Sequence, residues 1–549
     1  MPEGPSASRR QFVGFLLASP TLALAATLDL DRPSHAGPVS ATARGGLIGL
    51  PDTSDLIDLG DLIVAAEAAY QYNVVLEVTS ANRVRFELPR LEKGQGVATA
   101  IAMMVAEEID ARLVDVDVEL SDARLDRPFT ITGSSSTVRS MWEPARVLAA
   151  AARARLITAA AERFGVPANT LTTHDTAVFA PDGRSLTYGE LTEAAAQVLV
   201  PAVPATRKAA TQRRVIGTPQ GRADARDIVT GAADYALDVD VPGALPTLVA
   251  RSPDIKGTVV SYDDSVARSM PGVVAVTQIP SGIAVSARSY HEAFRARDAL
   301  VINWAPGPLA HTSDADVRAD LKAINIPVSP TSLLLKTIDA SFEYPFMAHA
   351  PLEVRSAVAR VTADSAECWV ASQTPVFALQ QVAAAIGVPQ QNVTLHVVRA
   401  GGAFGSRLFC EPVVEAAQVS KAIGLPVKLM WDRADDMRHG RFRPMAQCTI
   451  RATCALGNVL SYEHRVAAVE TDFRHGFGEM LTAAGATVAP EMFGQAAFTT
   501  TVKVPYKFGV VTQLLTEKHY EVRRDRSVRS TPVSSRRRTR SWSTRSRPT

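Results

Sequence analysis

The feature that most constrains this 549-residue chain is a glycine-rich loop between a predicted strand and a predicted helix. The loop reads Gly-Gly-Ala-Phe-Gly-Ser-Arg over 401–407 and follows Val393–Val398, an apolar run typical of a buried strand. A helix is predicted over 411–422, because Pro412 is tolerated in a first helical turn and Gly424 follows its end. Three glycines around one phenylalanine allow a tight turn that approaches a ligand closely.

Length and composition predict a soluble protein of several domains. At 549 residues the chain is too long for one domain, so three or more compact units are expected. Hydrophobic residues at 46% and charged residues at 21% suit a large buried core. The four cysteines are scattered and show no CxxC or iron–sulfur spacing, so we expect buried thiols and no cluster in this chain.

The positive charge of the chain is concentrated at its carboxyl end. Residues 523–549 contain ten arginines, one aspartate and no lysine, a balance of +9, whereas the whole chain carries only +2. This segment has no apolar periodicity and is predicted to be disordered. Without aromatic interleaving or a folded platform, it supports non-specific phosphate binding and predicts no specific nucleic-acid partner.

The amino terminus has the pattern of an export signal. Paired arginines at Arg9 and Arg10 precede a short apolar run, and Ala23-Leu24-Ala25 offers a small-residue cleavage site. We therefore predict a twin-arginine signal peptide over 1–26, followed by a linker over 27–70 that is rich in Pro, Gly, Ser and Asp. The apolar run is too short to span a membrane comfortably.

Three further motifs lie outside the glycine loop. The first is Glu-Lys-Gly-Gln-Gly-Val-Ala-Thr over 92–99, the second is Thr-Gly-Ser-Ser over 132–135, and the third is Trp-Val-Ala-Ser-Gln-Thr-Pro over 369–375. Taken singly, each predicts only a turn or a strand end. Their joint presence in one chain makes a shared function the better interpretation.

The segments around the second motif have clear helix and strand patterns. Alternating residues over 114–120 predict a strand. Ser140 to Glu143 forms a capping-box pattern that predicts the start of a long alanine-rich helix, and Gly165 ahead of Pro167 predicts its end.

In this order, and with Trp-Asp-Arg-Ala-Asp-Asp-Met over 431–437, the motifs resemble those of molybdenum hydroxylase large subunits, the xanthine dehydrogenase and aldehyde oxidoreductase superfamily. The Gly-Gln-Gly block stands before the glycine loop, an order similar to the exported branch typified by the isoquinoline 1-oxidoreductase β subunit. The resemblance covers roughly 75–530. It departs from the family pattern at Ala403 and Ser406 in the loop, and at Val354, where proline is usual.

The resemblance implies a cofactor and the residues that contact it. The cofactor is molybdopterin with molybdenum, in the form of a molybdopterin cytosine dinucleotide. Its dithiolene holds the metal, so no side chain is expected as a metal ligand. The resemblance also implies that three distant motifs converge on one cofactor pocket. The residues expected to bind the cofactor are Gly94, Gln95, Gly96, Gly133, Ser134, Gln373, Gly401, Gly402, Ala403, Phe404, Gly405 and Arg407.

The fold class implied is α+β, that of a multidomain molybdopterin-binding large subunit with a hammerhead-like α+β domain. The units expected after the signal peptide and linker are a permuted part of the second molybdopterin-binding domain over 71–204, a hammerhead-like domain over 214–305, a first molybdopterin-binding domain over 306–522 and the disordered tail over 523–549. A linker is predicted between the first two, over 205–213.

The implied activity is hydroxylation of an N-heterocycle or an aldehyde with water as the oxygen source. Electrons leave through a separate small [2Fe-2S] subunit toward an acceptor such as a cytochrome. The protein contributes position and electrostatics around the cofactor. Export by the twin-arginine route places the expected site of action in the periplasm or at the membrane periphery.

Two alternatives remain open besides non-specific phosphate binding by the tail. Family members carry a glutamate general base in a G-x-G-E-like turn, and no such turn occurs after residue 500. The catalytic base is therefore unknown, and we expect a truncated or frameshifted relative without turnover. The other alternative is a periplasmic nucleotide-binding module that uses the same glycine loops and contains no molybdenum.

Overall fold

The structure is a computed structural model that describes most of the chain between residues 74 and 521. The described residues are 12–14, 22–27, 63, 74–127, 130–198, 207–330, 335–476, 478, 480–501, 504, 506 and 508–521. Most of the predicted linker over 27–70 and the whole predicted tail over 523–549 lie outside them.

The first part of the chain folds as a sheet with helices on it. Its strands are β1 (Phe12–Gly14), β2 (Leu22–Thr27), β3 (Val74–Val78), β4 (Val84–Leu88), β5 (Val116–Leu120), β6 (Thr172–His174), β7 (Ala177–Phe179) and β8 (Ser185–Thr187). Its helices are α1 (Val97–Ile109), α2 (Thr137–Phe164) and α3 (Tyr188–Gln197). Strands β1 to β5 form one sheet in chain order, and β6 to β8 form a second, smaller one.

Two sequence predictions in this part need comment. The long helix ends before Gly165 as predicted, but it begins at Thr137, so the predicted capping box at Ser140 and Glu143 is wrong. Ser140 lies one turn inside the helix, and its hydroxyl donates to the Thr137 carbonyl instead of capping. The strand predicted from residue 114 begins at Val116, after a short 3-10 turn.

The predicted export signal contributes two strands to this sheet. Strands β1 and β2 come from that segment, and β2 pairs antiparallel with β3 through Leu24 opposite Leu76. The predicted cleavage motif therefore lies within a strand. Among the described residues, no helix is both long enough and apolar enough to cross a membrane. Export stays a prediction.

The middle of the chain adds a second α+β layer. Its elements are α4 (Ala225–Thr230), β9 (Leu245–Ala250), β10 (Thr258–Asp263), α5 (Ser265–Ser269), β11 (Val273–Ile279), β12 (Gly282–Ala287), α6 (Tyr290–Asp298) and β13 (Val301–Ala305). Buried carboxylates of α1 hold the connection before it: within the predicted linker, the amide of Lys208 donates to Glu108 at 3.0 Å, and the residues just after the linker bind Glu107. Glu107 Oε2 accepts backbone amides of Arg214, Val215 and Ile216 at 2.7–3.0 Å.

The last part contains the glycine loop. Its helices are α7 (Asp314–Ile324), α8 (Pro375–Ile386), α9 (Glu411–Ile423), α10 (Arg433–Arg438), α11 (Met480–Val488) and α12 (Pro490–Thr501). Its strands are β14 (Lys336–Tyr344), β15 (Met347–Ala348), β16 (Ser356–Val361), β17 (Ala366–Val370), β18 (Val393–Val397), β19 (Val427–Met430), β20 (Phe442–Arg443), β21 (Ala446–Ala455), β22 (Asn458–Val469) and β23 (Val510–Lys518). Short 3-10 turns within the described residues are Leu113–Asp115, Ala168–Thr170, Ala210–Gln212 and Gln390–Asn392.

One sheet joins the middle and last parts. Its seven strands run in the order β11-β12-β9-β19-β16-β17-β18, so it crosses the predicted boundary at residue 305. Strands β9 and β19 pair in parallel at this junction. Helix α9 packs on the sheet, with Val413, Ala416 and Ala417 fully buried, as the apolar spacing of three and four residues requires. The mixture of separate sheets and helical layers confirms the α+β class.

Candidate cofactor site

The first and last parts of the chain meet through Thr132. Its backbone amide donates to the Gln373 carbonyl at 2.8 Å, and its carbonyl accepts the Gln373 side-chain Nε2 at 2.7 Å. Its hydroxyl accepts the amide of Leu91 at 2.8 Å. Leu91 and Ile131 also belong to the buried core around the seven-stranded sheet. Two of the three predicted motifs are therefore joined through one residue.

The glycine loop joins the same cluster. The amide of Gln373 donates to the Arg407 carbonyl at 2.8 Å, and the amide of Ala400 donates to the Glu92 carbonyl at 2.9 Å. The Gly94–Gly96 turn, the Gly133–Ser134 turn, Gln373 and the loop over 401–407 thus lie together in space. We refer to these four segments as the junction site. Their contacts with a cofactor stay a prediction.

The turn at Gly94–Gly96 is organised by Glu92, which is only 1% exposed. Its carboxylate accepts the backbone amides of Gly94, Gly96 and Ala98 at 2.9–3.1 Å and thereby caps α1. Gln95 lies over its own turn, because its side chain accepts from the Lys93 amide and donates to the Leu91 carbonyl. The side chain of the exposed Gln95 thus makes its hydrogen bonds within its own turn in this structure.

A second buried glutamate, Glu353, organises the glycine loop. One carboxylate oxygen accepts the Gly401 amide at 2.7 Å and Arg407 at 2.8 Å, and the other accepts the Leu237 amide at 3.0 Å. Arg407 also donates to the Gly402 carbonyl at 2.9 Å. Burial lowers the pKa of this guanidinium, and the Glu353 charge opposes that effect. Arg407 therefore acts here as an internal clamp of the loop.

Several backbone positions at the junction site are in the left-handed region. Phe404 has φ 56°, and Ser134 and Ser135 have φ 49° and 55°. Gly402 and Gly405 have φ 108° and 105°, which glycine adopts without strain. Non-glycine residues in this region cost roughly 1–3 kcal/mol each and cluster at ligand-binding sites. Phe404 is also 60% exposed, an unusual position for an aromatic side chain held in a strained turn.

Glycine is required sterically at only some of the predicted positions. A Cβ on Gly401 would lie 2.6 Å from the Cβ of Glu353, and one on Gly402 would lie 3.1 Å from Pro351. A Cβ on Gly94 would meet nothing within 4 Å, and one on Gly133 would meet only Ile131 at 3.7 Å. The neighbouring Ala403 is buried. The glycine loop is therefore packed against Glu353 and Pro351, whereas the Gly94 turn faces open space.

The junction site fits a polar cofactor because one buried acceptor there has no partner. Gln373 is 2% exposed, and within the described residues its Oε1 accepts no hydrogen bond. A buried acceptor without a partner costs about 1–3 kcal/mol, so its presence points to a missing donor. Open space above Gly94 and the exposed Phe404 leave room for the group that supplies it.

The floor below the glycine loop is a buried charge network around Trp431. The indole ring lies between the guanidinium groups of Arg251 and Arg355, at 4.1 and 4.2 Å from its centroid, and its N–H donates to Glu415 at 2.9 Å. Arg355 contacts Asp436 at 3.1 Å. These stacked cations hold β16, β19 and α9 in one rigid support. The Trp431 motif is therefore structural.

A cavity of about 490 Å³ lies directly after the glycine loop. Its lining includes Phe377, Phe409, Cys410, Glu411 and Arg441. The two phenylalanine rings meet edge to face at 6.4 Å, and Arg441 stacks on Phe409 with its guanidinium carbon 3.0 Å from the ring centroid. Volumes of this size hold small organic molecules, and the aromatic walls suit a planar one.

The titratable groups near the site are held in defined states. His349 Nδ1 donates to the Arg441 carbonyl at 3.0 Å, and burial lowers the pKa of His349 to about 4. The imidazole of His349 is therefore neutral at pH 7. Burial holds the pKa of the Cys410 thiol far above its usual range, so this thiol stays protonated. Over the described ranges, no group of three or more His, Cys, Asp or Glu side chains could hold a metal ion.

Sequence reasoning missed the two glutamates and Thr132. Glu92 and Glu353 stand in or beside the motifs, yet we predicted no role for either. A carboxylate just before a glycine turn is a recognisable signal for backbone capping. Thr132 had no such signal, because its role depends on Gln373, 241 positions away.

Comparison with known proteins identifies the two parts that meet at this site. A model described as molybdopterin cofactor-binding domain matches residues 335–507, and a second with the same description matches 61–240. Together they cover well over half of the chain. The junction site is built from both matched segments.

Individual relatives match over longer stretches. The beta chain of isoquinoline 1-oxidoreductase from Brevundimonas diminuta is 31% identical over 79% of this chain and 65% of its own length. The membrane-bound aldehyde dehydrogenase [pyrroloquinoline-quinone] from Gluconacetobacter polyoxogenes is 27% identical over 78% and 59%. One of the nicotinate dehydrogenase subunits from Pseudomonas putida is 28% identical over 63% and 31%. The chain thus spans less than two thirds of each of these relatives.

Among solved structures, the aldehyde oxidoreductase from Desulfovibrio desulfuricans aligns with a TM-score of 0.40 at 15% identity. The alignment covers 67% of this chain and 44% of that one.

Proposed function

The chain belongs to the molybdenum hydroxylases as a molybdopterin-binding large subunit, and from this premise we propose what it binds and oxidises. The proposal is that the junction site holds molybdenum and molybdopterin cytosine dinucleotide. The reaction is the hydroxylation of an N-heterocycle or an aldehyde with water as the oxygen source. The relatives are oxidoreductases by their names, and they match 79% and 78% of this chain.

The observation that carries the proposal is the convergence of distant motifs around the unpartnered acceptor of Gln373. The residues that would hold the pterin are Gln373, the backbone of the Gly94–Gly96 turn and the backbone of the Gly401–Gly405 loop. When bound, the cofactor supplies the two-electron oxidation that the side chains cannot perform. The chain contributes hydrogen bonds, a rigid floor and a defined orientation.

The cavity after the glycine loop is the proposed substrate site. Phe377 and Phe409 would stack against a planar ring, and Arg441 would orient a ring nitrogen or carbonyl by donating a hydrogen bond. Arg441 also pairs with Asp472 at 2.9 Å, which fixes its position before a substrate enters. The aromatic walls favour an N-heterocycle over a small aliphatic aldehyde.

The proposed partner is a small [2Fe-2S] subunit that takes electrons to an acceptor such as a cytochrome. The described cysteines are all free thiols: Cys368 lies on β17, Cys410 is the N-cap residue of α9, and Cys448 and Cys454 both lie on β21. A separate protein is therefore the natural carrier of an iron–sulfur centre. The proposed location, after twin-arginine export, is the periplasm or the membrane periphery.

A non-catalytic relative is the second candidate, and one observation favours it. Glu411 is the carboxylate that lines the proposed substrate cavity, but its oxygens pair with Arg441 at 2.7 Å and with Arg355 at 3.3 Å. A carboxylate held between two guanidinium groups is a weak proton acceptor. The described part of the cavity thus offers no suitable general base, in line with the predicted loss of turnover.

The test separates cofactor binding from turnover. The full chain is purified from a host that makes the cofactor, and molybdenum and pterin are measured before any activity assay. Molybdenum with turnover of an N-heterocycle, with the small subunit and an electron-accepting dye supplied, supports the hydroxylase. Molybdenum without turnover supports the inert relative. A folded chain without molybdenum refutes both and favours a nucleotide-binding module.

The proposed location has its own test. Replacing Arg9 and Arg10 by lysine removes the paired arginines while keeping the charge. We expect the variant to remain in the cytoplasm while the unchanged chain is exported. Equal export of both would contradict the twin-arginine proposal. The same experiment reports whether the Ala23–Ala25 motif is cleaved or stays with the folded chain.

A further inference from the structure

A further cavity, of about 380 Å³, lies between the middle and last parts of the chain. Its walls come from the end of β9, from α6, from the segment over 300–304 and from α10. Leu300, Ile302 and Trp304, all partly buried, supply apolar lining. Cavities of this size hold small organic ligands. The residues that line it differ from those of the junction site and of the proposed substrate cavity.

A buried carboxylate, that of Asp435 on α10, lines this cavity without a hydrogen-bond donor of its own. Asp435 is 8% exposed, and within the described residues its Oδ2 accepts no hydrogen bond. The nearest cation is Arg251, whose Nε lies 3.4 Å from that oxygen. Arg251 instead directs both of its terminal nitrogens to Glu415, at 2.7 Å each. A buried carboxylate oxygen without a donor is costly, so it points to a ligand that supplies an N–H group.

The other charged groups on the walls are paired with each other or exposed. Arg297 donates to Asp432 at 2.7 Å and pairs with Asp298 at 3.2 Å. Asp432 also accepts the backbone amide of Asp435 at 2.7 Å. Arg438 is exposed to solvent, which screens its charge. The carboxylate of Asp435 is therefore the group on these walls with the greatest need for a positively charged donor.

The walls also indicate what kind of donor fits. An amidinium or a primary ammonium group carries several N–H donors together with a positive charge, and hydrogen bonds of this kind to a carboxylate are among the strongest in proteins. Ile302 and Trp304 supply the apolar and aromatic surface on which a planar hydrocarbon body packs. A ligand with both parts would satisfy Asp435 and exclude water from the apolar lining.

We propose that this cavity binds a small organic cation, an aromatic amidine or primary amine whose charged N–H group donates to Asp435 and whose body packs on Ile302 and Trp304. The site is separate from the proposed cofactor and substrate sites, so it does not depend on the proposed function. Asp435 acts in it as a binding residue and takes part in no reaction.

The electrostatic surroundings of Asp435 predict how binding depends on pH. Burial raises the pKa of Asp435 to about 6, and the charge of Arg251 opposes that effect. The charges of Asp432 and Glu415 raise this pKa further, and that of Arg297 lowers it. The carboxylate is therefore ionised at pH 7.5 and largely protonated at pH 5. Affinity for an organic cation should fall as the pH drops through about 6.

The experiment measures calorimetric binding of benzamidine, and of its neutral analogue benzamide, to the purified full chain at pH 7.5 and at pH 5. We expect benzamidine to bind roughly tenfold or more tightly than benzamide at pH 7.5, as a charged hydrogen bond to a carboxylate implies, and to lose most of this preference at pH 5. Asp435→Asn should bind the two compounds equally. Asp298→Asn, at an exposed carboxylate that lines the same cavity, is the matched control and should bind as the unchanged chain does.

Three results would overturn the proposal. Absence of benzamidine binding to the unchanged chain at millimolar concentration would show that the cavity holds water only. Equal benzamidine affinity in the unchanged chain and in Asp435→Asn, with equal thermal unfolding midpoints, would remove Asp435 from the site. A pH dependence that persists in Asp435→Asn would belong to His439, which lines the same cavity. If Asp435→Asn does not fold, the comparison of benzamidine with benzamide at the two pH values in the unchanged chain decides.

Discussion

The two glycine turns of the junction site are both held by a buried glutamate, but the surroundings of the two glutamates differ. In each turn a buried glutamate accepts backbone amides: Glu92 in the Gly94 turn and Glu353 in the glycine loop. The charge partner of Glu92 is Arg222, whose side chain is 27% exposed, whereas Arg407, the partner of Glu353, is 2% exposed. The same backbone-capping chemistry therefore operates at the surface in one turn and in the core in the other.

The two turns require glycine for different reasons, one for its backbone conformation and the other for its packing. The Gly94 turn needs glycine for its φ of 96° and has no neighbour that would exclude a Cβ. The glycine loop needs Gly401 because Glu353 leaves no room for a Cβ. A turn restricted only by its backbone can adapt to a ligand, while a packed loop presents a preformed surface. The junction site combines one of each.

The largest expected effect is the loss of Glu353. Glu353→Ala leaves the guanidinium of Arg407 buried without a charge partner, which costs about 3–5 kcal/mol. Glu92→Ala should cost less, about 1–3 kcal/mol, because water can reach Arg222. Urea unfolding followed by tryptophan fluorescence checks the order, with the unchanged chain as reference. An equal or larger loss in Glu92→Ala would show that burial of the arginine partner does not distinguish the two turns.

Alanine at the glycine positions should cost less stability than loss of the glutamates. The cost should again be larger in the glycine loop than in the Gly94 turn. Gly401→Ala forces a clash with the Glu353 side chain and should cost about 1–3 kcal/mol. Gly94→Ala meets no neighbour and should cost about 1–2 kcal/mol through its backbone alone. Thermal unfolding midpoints and protease cleavage at the Phe404 loop distinguish them. Cleavage should increase for Gly401→Ala and stay unchanged for Gly94→Ala; the reverse pattern would contradict packing of the loop.

The smallest expected effect on stability comes from His396, which joins the first and last parts of the chain. His396 of β18 contacts Asp122 at 3.0 Å and Glu367 at 3.3 Å, and the hydrogen bond with Asp122 raises the pKa of His396. Its contribution is therefore full below the unfolded-state value of about 6.5 and is lost as the pH rises through the higher folded-state pKa. Trp369 stacks on the ring, and Arg360 lies over Trp369.

Because His396 is partly exposed, the effect should be below about 1 kcal/mol. Urea unfolding at pH 5.5 and at pH 8.5 measures it in the unchanged chain and in His396→Gln. The stability difference between the two chains should shrink at the higher pH. A difference that grows with pH would show that the neutral imidazole, and not the ion pair, stabilises this contact.

Much of the local structure around the glycine loop could be predicted from the sequence. Strand β18, helix α9 and its stop at Gly424 follow from apolar spacing and from proline and glycine positions. These features depend on neighbours in sequence, which is why pattern analysis detects them.

Other features depend on distant contacts and could not be predicted in the same way. The start of α2 is set by the left-handed turn at Ser134 and Ser135, so the local pattern at Ser140 was misleading. The sheet that crosses residue 305 follows from the pairing of β9 with β19, which no local pattern encodes. The roles of Glu92 and Glu353 required knowing which amides face each carboxylate.

The proposed molybdopterin site is formed by segments far apart in sequence that meet around Gln373. The most direct test is the molybdenum and pterin content of the full chain and of Gln373→Leu, both purified from a cofactor-producing host. Gln391→Leu, at an exposed glutamine, serves as the control. We predict molybdenum and pterin in equal amounts in the unchanged chain and the control, and a loss of most of both in Gln373→Leu. Equal cofactor content in all three folded proteins, or none in any, would contradict the proposal that the junction site holds molybdopterin through Gln373.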